Sequence, residues 1–132
     1  MAKGLMDFVM EAKKQITEVS GDELLKMKDE KSELLIVDVR EPGEFIHGHI
    51  EHAMLVPRGI IEAAADVDYP KSNETLREAR NRPVVVYCAT SGRSAMAAKT
   101  LQDMGFADVY SLAGGFTAWE HEQKPIFREG EF

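Results

Sequence analysis

Two runs of consecutive apolar residues constrain the fold of this chain more than any other feature of its sequence. They occupy residues 34–37 (LLIV) and 84–87 (VVVY), with charged or turn-forming residues on either side. A strand that faces water on one side alternates apolar with polar residues, whereas a strand buried on both faces contains no polar position. We therefore predict that both runs form inner strands of a sheet.

Helical patterns alternate with these strands and with weaker strand candidates. Ser20 and Glu23 have the spacing of a capping box, which marks a helix start. Short strands are predicted at 16–19, 54–56 and 109–112. An amphipathic helix is predicted at the start of the chain, with the apolar face Leu5, Phe8, Val9 and Ala12, and two short helices are predicted within 60–82. Two later helices are predicted, one with the apolar face Ala97, Ala98, Leu101 and Met104 that ends at Gly105, and one through Trp119. This alternation predicts an α/β domain with a mainly parallel sheet.

Composition narrows the classes of partner. The 132 residues include 16 basic and 23 acidic side chains, a net charge of −7 that argues against nucleic acid. No apolar run approaches the roughly 20 residues of a membrane span, and the first residues lack the apolar core of a signal peptide. The single cysteine cannot form an internal disulfide. We expect one domain with a cytoplasmic location and no membrane partner.

That single cysteine, Cys88, stands directly after the second apolar run, in the stretch CATSGRS at 88–94. Sites of α/β sheets lie beyond the carboxyl ends of the strands. A loop of small residues that enters a helix can direct successive N–H groups inward and bind an anion, and Arg93 adds a positive charge. The same groups favour the thiolate, which is the nucleophilic form of cysteine. A small buried structural thiol is the alternative.

Three stretches resemble the rhodanese-domain sulfurtransferases. CATSGRS resembles their active-site loop, while DVREPGEFIHGHIEHAMLVPRG (38–59) and LAGGFTAW (112–119) resemble their amino-terminal and carboxyl-terminal signatures. The resemblance covers about residues 15 to 122. It implies a rhodanese-like α/β fold, a five-stranded mainly parallel sheet flanked by helices on both faces. The implied organisation is an amphipathic helix extension at 1–14 followed by a rhodanese domain at 15–132.

The resemblance also implies the chemistry. Cys88 would take a sulfane sulfur from thiosulfate or a low-molecular-weight persulfide, become a persulfide, and pass the sulfur to a thiol or cyanide. A protein is a further candidate acceptor, and no cofactor is implied. The loop would act as the anion cradle through Ala89, Thr90, Ser91, Gly92, Arg93 and Ser94. The chain departs from the family where Ser91 and His52 stand at positions that often hold glycine.

Supporting roles are expected for residues near the other strand ends. The resemblance suggests that Asp38 braces the loops around the site. Arg40 is interpreted as an ion pair with Glu41 and Glu44. Arg58 faces either the pocket or the solvent.

Two further features have structural interpretations. Gly114 and Gly115 would let the backbone pass beneath the active loop. The histidines at 47, 49 and 52 form a tempting metal pattern, but no cysteine or carboxylate is placed to complete the shell, so we expect no metal.

Two alternative functions stay open. A phosphatase or arsenate reductase of the cell-cycle phosphatase type shares this fold, but its loop places the arginine one position farther from the cysteine than the five that separate Cys88 from Arg93. A binding module without chemistry commonly lacks the cysteine. A persulfide carrier for a protein partner is a variant of the main interpretation.

Overall fold

A computed structural model describes residues 1–128, whose strands form one five-stranded sheet in which all neighbours are parallel. The strands are β1 (Thr17–Val19), β2 (Leu35–Asp38), β3 (Met54–Leu55), β4 (Pro83–Tyr87) and β5 (Asp108–Leu112). Their order across the sheet is β1-β5-β4-β2-β3. The predicted parallel sheet is confirmed, and the two apolar runs form its inner strands β2 and β4.

Seven α-helices connect or flank these strands in the described part of the chain. They are α1 (Leu5–Lys13), α2 (Gly21–Glu30), α3 (Pro42–Phe45), α4 (Ile61–Ala65), α5 (Glu74–Arg77), α6 (Gly92–Asp103) and α7 (Gly115–His121), with a 3₁₀ helix at Arg58–Ile60. The predicted capping box starts α2, since Ser20 Oγ accepts from Glu23 N at 3.1 Å and Ser20 N donates to Glu23 Oε1 at 2.9 Å. The two short helices expected within 60–82 are α4 and α5.

The sheet has a separate apolar core on each face. Side chains of β4 alternate between the two, so that Val84, Val86 and Cys88 pack with α4, α5 and α6, while Val85 and Tyr87 pack with α2 and α7. This two-sided burial is the reason that β4 is apolar throughout except for the Tyr87 hydroxyl, which accepts a hydrogen bond from Ile50 N. It also places Cys88 on the α6 side of the sheet, at the end of its central strand.

Helix α1 packs on α6, outside the layer that covers the sheet. Its buried side chains are Val9 and Ala12, two of those that predicted an amphipathic helix. Within residues 1–128, no helix combines the length and apolarity needed to cross a bilayer. The last four residues of the predicted 15–132 domain lie outside the described range.

His52 adopts a backbone conformation that glycine prefers. Its φ is +70°, in the left-handed region, and its side chain is exposed beside Glu51. A side chain there costs about 1–2 kcal/mol through the clash of Cβ with the carbonyl oxygen, although histidine tolerates the region better than most residues.

We predict that His52→Gly raises the free energy of unfolding by about 0.5–1 kcal/mol, because relief of this clash exceeds the entropic cost of glycine. His47→Gly is the matched control: it removes an exposed histidine whose Nδ1 is hydrogen-bonded to Gly43 O and should destabilise. Urea unfolding measures both. A less stable His52→Gly protein would show that the strain at this position is negligible.

Candidate active site

Cys88 lies at the floor of a cavity of about 270 Å³ at the carboxyl edge of the sheet. The residue is almost completely buried, with 1% of its surface exposed. One wall of the cavity is the loop that follows β4, from Thr90 to Arg93, and the opposite wall is α1. This cavity therefore gives a ligand a route to the thiol.

Ser94 is hydrogen-bonded to the Cys88 sulfur, and Ser111 is hydrogen-bonded to Ser94 behind it. Ser94 N donates to Cys88 Sγ at 3.4 Å, and the thiol donates to Ser94 Oγ at the same distance. The Ser94 hydroxyl donates to Ser91 O at 3.2 Å and accepts from the buried Ser111 hydroxyl at 2.8 Å. When Cys88 loses its proton, Ser94 can turn its own proton to the sulfur. Ser94 therefore has a direct contact with the nucleophile.

The backbone N–H groups of the loop are available for an anion. Among the residues that the structure describes, no acceptor receives a hydrogen bond from the N–H groups of residues 89–93. These groups precede and begin α6, whose dipole places partial positive charge at the same end. Loop and helix together form the kind of cradle that binds oxyanions and thiolates.

The glycine pair holds this loop from below. Gly114 and Gly115 have φ values of +74° and +61°, and Phe116 N and Thr117 N donate to Cys88 O and Ala89 O at 2.8 and 2.9 Å. A Cβ on Gly115 would collide with the carbonyl oxygens of the loop. The predicted close passage is confirmed.

Arg93 is paired with Glu44, which the sequence analysis had assigned to Arg40. The two guanidinium NH groups of Arg93 donate to the two Glu44 oxygens at 2.8 and 3.1 Å, and both side chains are about one-third exposed. Hydrogen bonds from Arg93 lower the pKa of Glu44 to about 2. Arg93 lines the cavity, but its charge is offset by a carboxylate.

Arg40 is paired with Asp38 rather than with Glu41 and Glu44, which corrects the predicted ion pair. Arg40 Nε and Nη2 donate to Asp38 at 2.7 to 3.1 Å, Nη2 also donates to Gly48 O at 2.7 Å, and both side chains are buried. Burial alone would lower the pKa of Arg40, but the bonds to Asp38 and its charge raise it above the usual value. The pair joins the end of β2 to the chain after α3.

Arg58 and the histidines lie outside the Cys88 cavity. Arg58 lines a neighbouring cavity between α1 and α6 and donates to Glu62 at 3.1 Å. His49 is buried, and its ring stacks on Phe45 at 3.7 Å between centroids. In residues 1–128, no group of three His, Cys, Asp or Glu side chains is arranged to hold a metal.

Two residues at or near the site, Lys13 and Ser111, were missed by the sequence analysis, and a third, Glu44, was given the wrong partner. Lys13 of α1 donates to Ser91 Oγ at 2.7 Å, Glu44 binds Arg93, and Ser111 binds Ser94. Ser111 carried a weak signal, because it is a small polar residue near the carboxyl end of β5, the edge of the sheet where sites lie. Lys13 carried a weak one, four positions after Val9 on the inward face of the first helix.

Fold and site together define an α/β domain with a buried cysteine at the end of its central strand, followed by a loop whose N–H groups have no acceptor in the described residues. The family model of the rhodanese-like domain matches residues 20–122. The chain belongs to the rhodanese-like domain family. The matched range begins after β1, so it leaves out α1.

Three similar proteins extend this finding. The chain is 33% identical over 108 residues to the probable adenylyltransferase/sulfurtransferase MoeZ of Mycobacterium tuberculosis, covering 81% of this chain but only 25% of that relative. It is 37% identical over 107 residues to the thiosulfate sulfurtransferase GlpE of Shewanella oneidensis, covering 79% and 91%. The structure of RPA3614 from Rhodopseudomonas palustris, a possible tyrosine phosphatase, superposes with a TM-score of 0.89 at 33% identity and covers 96% of each chain.

We predict that Arg40→Leu lowers the free energy of unfolding by about 3–5 kcal/mol, because it leaves the buried Asp38 carboxylate without a counter-charge. Arg93→Leu is the control, since its pair with Glu44 is about one-third exposed and contributes about 1 kcal/mol or less. Chemical denaturation compares the two. Equal losses would mean that burial does not distinguish these ion pairs.

The Glu44 pKa predicts an acid-dependent term in stability. A carboxylate whose pKa falls to about 2 on folding stabilises the fold above its ordinary value of 4.5, and this contribution is lost as the pH falls from 4.5 toward 2. The melting temperature of Glu44→Gln should therefore lie below that of the unmodified protein near neutral pH, with a gap that narrows below about pH 4.5. The exposed neighbour Glu41→Gln serves as control. A gap that stays constant to pH 3 would contradict the assignment.

Proposed function

We propose that this protein is a sulfurtransferase that carries sulfane sulfur on Cys88. The observation that supports this most is the single sulfur atom of Cys88 at the floor of a cavity whose wall is a loop of free N–H groups. Such a cradle accommodates one further sulfur atom and stabilises its negative charge. The names of the similar sulfurtransferases support the same reaction.

The reaction proceeds in two displacements. The Cys88 thiolate attacks the outer sulfur of an anionic donor such as thiosulfate, a sulfur–sulfur bond forms at Cys88, and the bond within the donor breaks to release sulfite. The persulfide then holds its charge on the outer sulfur, beside the loop N–H groups. A nucleophilic acceptor, a thiol or cyanide, attacks that sulfur and restores the thiolate. A protein thiol is an acceptor of the same kind, and a carrier role would use the same persulfide.

Phosphate ester hydrolysis is the second candidate, because the similar structure RPA3614 is described as a possible tyrosine phosphatase. Phosphoryl transfer requires donors for three equatorial oxygens. In this chain the loop spans only five positions from Cys88 to Arg93, and both terminal NH groups of Arg93 are bonded to Glu44. These two features favour sulfur transfer.

A mass measurement of the intact protein after incubation with thiosulfate tests the proposal. We expect one added sulfur atom that reductant removes, and transfer to cyanide at a steady rate. Cys88→Ser should lose both while keeping the fold, because a hydroxyl cannot carry sulfane sulfur.

The same protein samples test phosphate ester hydrolysis, the second candidate function. We expect no hydrolysis of a small aryl phosphate by the unmodified protein. Phosphatase turnover that Cys88→Ser abolishes, with no sulfur added by thiosulfate, would replace sulfur transfer with phosphate hydrolysis. The cytoplasmic location stays a prediction from the sequence.

A further inference from the structure

The first helix lines one side of the cavity above Cys88, although it lies outside the range matched by the family model. Leu5, Met6, Val9 and Lys13 of α1 line the cavity. Gly92 of the active loop lies against α1, since a Cβ at that position would be in van der Waals contact with Val9 Cγ2 at 3.4 Å. The site of this chain therefore differs from one built by the matched range alone.

Lys13 lies between two helix ends of opposite polarity, the last turn of α1, whose dipole favours a cation, and the start of α6, whose dipole opposes one. Its Nζ lies 2.7 Å from Oγ of Ser91, the N-cap residue of α6, so its charge faces the positive end of the helix dipole. The first turn of α6 contains no acidic residue. In the described part of the chain, no carboxylate lies within ion-pair distance of Lys13, whereas Arg93 is offset by Glu44. An anion in the cavity would relieve this repulsion.

The other α1 residues of the cavity are apolar, and two are unusually exposed. Leu5 and Met6 are 68% and 60% exposed at the mouth, while Val9 lies deeper. Residues four apart share a helical face, and the rise per residue places Leu5 about 12 Å from Lys13 along the axis. The wall thus offers a cation at one end and apolar surface along the rest.

We propose that α1 determines which donor the site prefers: Lys13 binds the anionic group, and Leu5, Met6 and Val9 contact an apolar substituent. This inference rests on the proposed sulfur transfer. We expect the site to prefer organic sulfane-sulfur anions, such as an aryl thiosulfonate, over inorganic thiosulfate. Thiosulfate has the charge for Lys13 but no group for the apolar wall.

The sulfur transfer from such a donor is balanced without a further reactant. The Cys88 thiolate attacks the terminal sulfur of the thiosulfonate and forms the new sulfur–sulfur bond. The bond between the terminal sulfur and the sulfonyl group breaks, and its electron pair leaves with the sulfinate. Cys88 ends as a persulfide anion, and the acceptor removes its outer sulfur as described above.

The first test isolates Lys13. Lys13→Met should reduce kcat/KM for both thiosulfate and benzenethiosulfonate by roughly tenfold or more, because a charge-assisted contact to the donor is lost. Lys14→Met, an exposed lysine at the next position, removes the same net charge and should leave both values unchanged. Equal effects of the two changes would overturn the role of Lys13.

Alkylation of Cys88 separates this inference from the proposed function. Iodoacetate and iodoacetamide have nearly the same size and differ in charge, so the ratio of their rates reports anion binding beside the thiol without any sulfur transfer. The rate with iodoacetate divided by the rate with iodoacetamide should fall several-fold in Lys13→Met and stay constant in Lys14→Met. An unchanged ratio in Lys13→Met overturns the inference, while a fallen ratio in a protein that accepts no sulfur supports the anion site and rejects the transferase.

The second test isolates the apolar wall. The unmodified protein should use benzenethiosulfonate with a higher kcat/KM than thiosulfate. Met6→Ser should lower kcat/KM for benzenethiosulfonate several-fold and leave kcat/KM for thiosulfate unchanged. Met10→Ser is the matched control, because Met10 lies on the same helix at 57% exposure but does not line the cavity. A preference for thiosulfate, or an equal effect of both serine changes, would overturn the assigned donor class.

Discussion

The close approach of two backbone segments underlies the rest of the site. The turn at Gly114 and Gly115 passes directly beneath the Cys88 loop, and the start of α7 donates hydrogen bonds to the loop carbonyls. Because these carbonyls are held downward, the loop N–H groups are left for the cavity above. Only glycine permits both the positive φ and the contact distance. The anion cradle is thus a consequence of backbone packing as much as of loop sequence.

Charge is arranged locally against the net charge of the chain. The protein carries −7 overall, yet the cavity is bordered by Lys13, Arg93 and the start of α6. Glu44 offsets Arg93, which leaves Lys13 and the backbone dipoles as the local positive field. This local field supports the proposal that an anionic donor binds here despite the negative net charge of the chain.

The sequence allowed the strands, the capping box, the glycine turn and the position of Cys88 to be predicted, because each depends on neighbouring residues and periodicity. The ion pairs could not be predicted in the same way. Arg93 and Glu44 are 49 residues apart, and Lys13 and Ser91 are 78 apart. Such contacts depend on how separate loops and helices pack. The Arg40 pair was mispredicted for another reason, since Asp38 is only two positions away but was expected to brace loops, and the glutamates that follow Arg40 were chosen instead. Lys13 was missed for a further reason, since the family resemblance begins only at about residue 15, after Lys13 in the sequence.

The central claim is that the loop holds a single added sulfur atom through its N–H groups. A crystal structure of the protein after loading with thiosulfate tests this directly. The account predicts electron density for one sulfur bonded to Cys88 Sγ, directed into the loop and within hydrogen-bonding distance of backbone N–H groups between Thr90 and Ser94. A persulfide turned away from the loop toward α1, with those N–H groups unengaged, would contradict it.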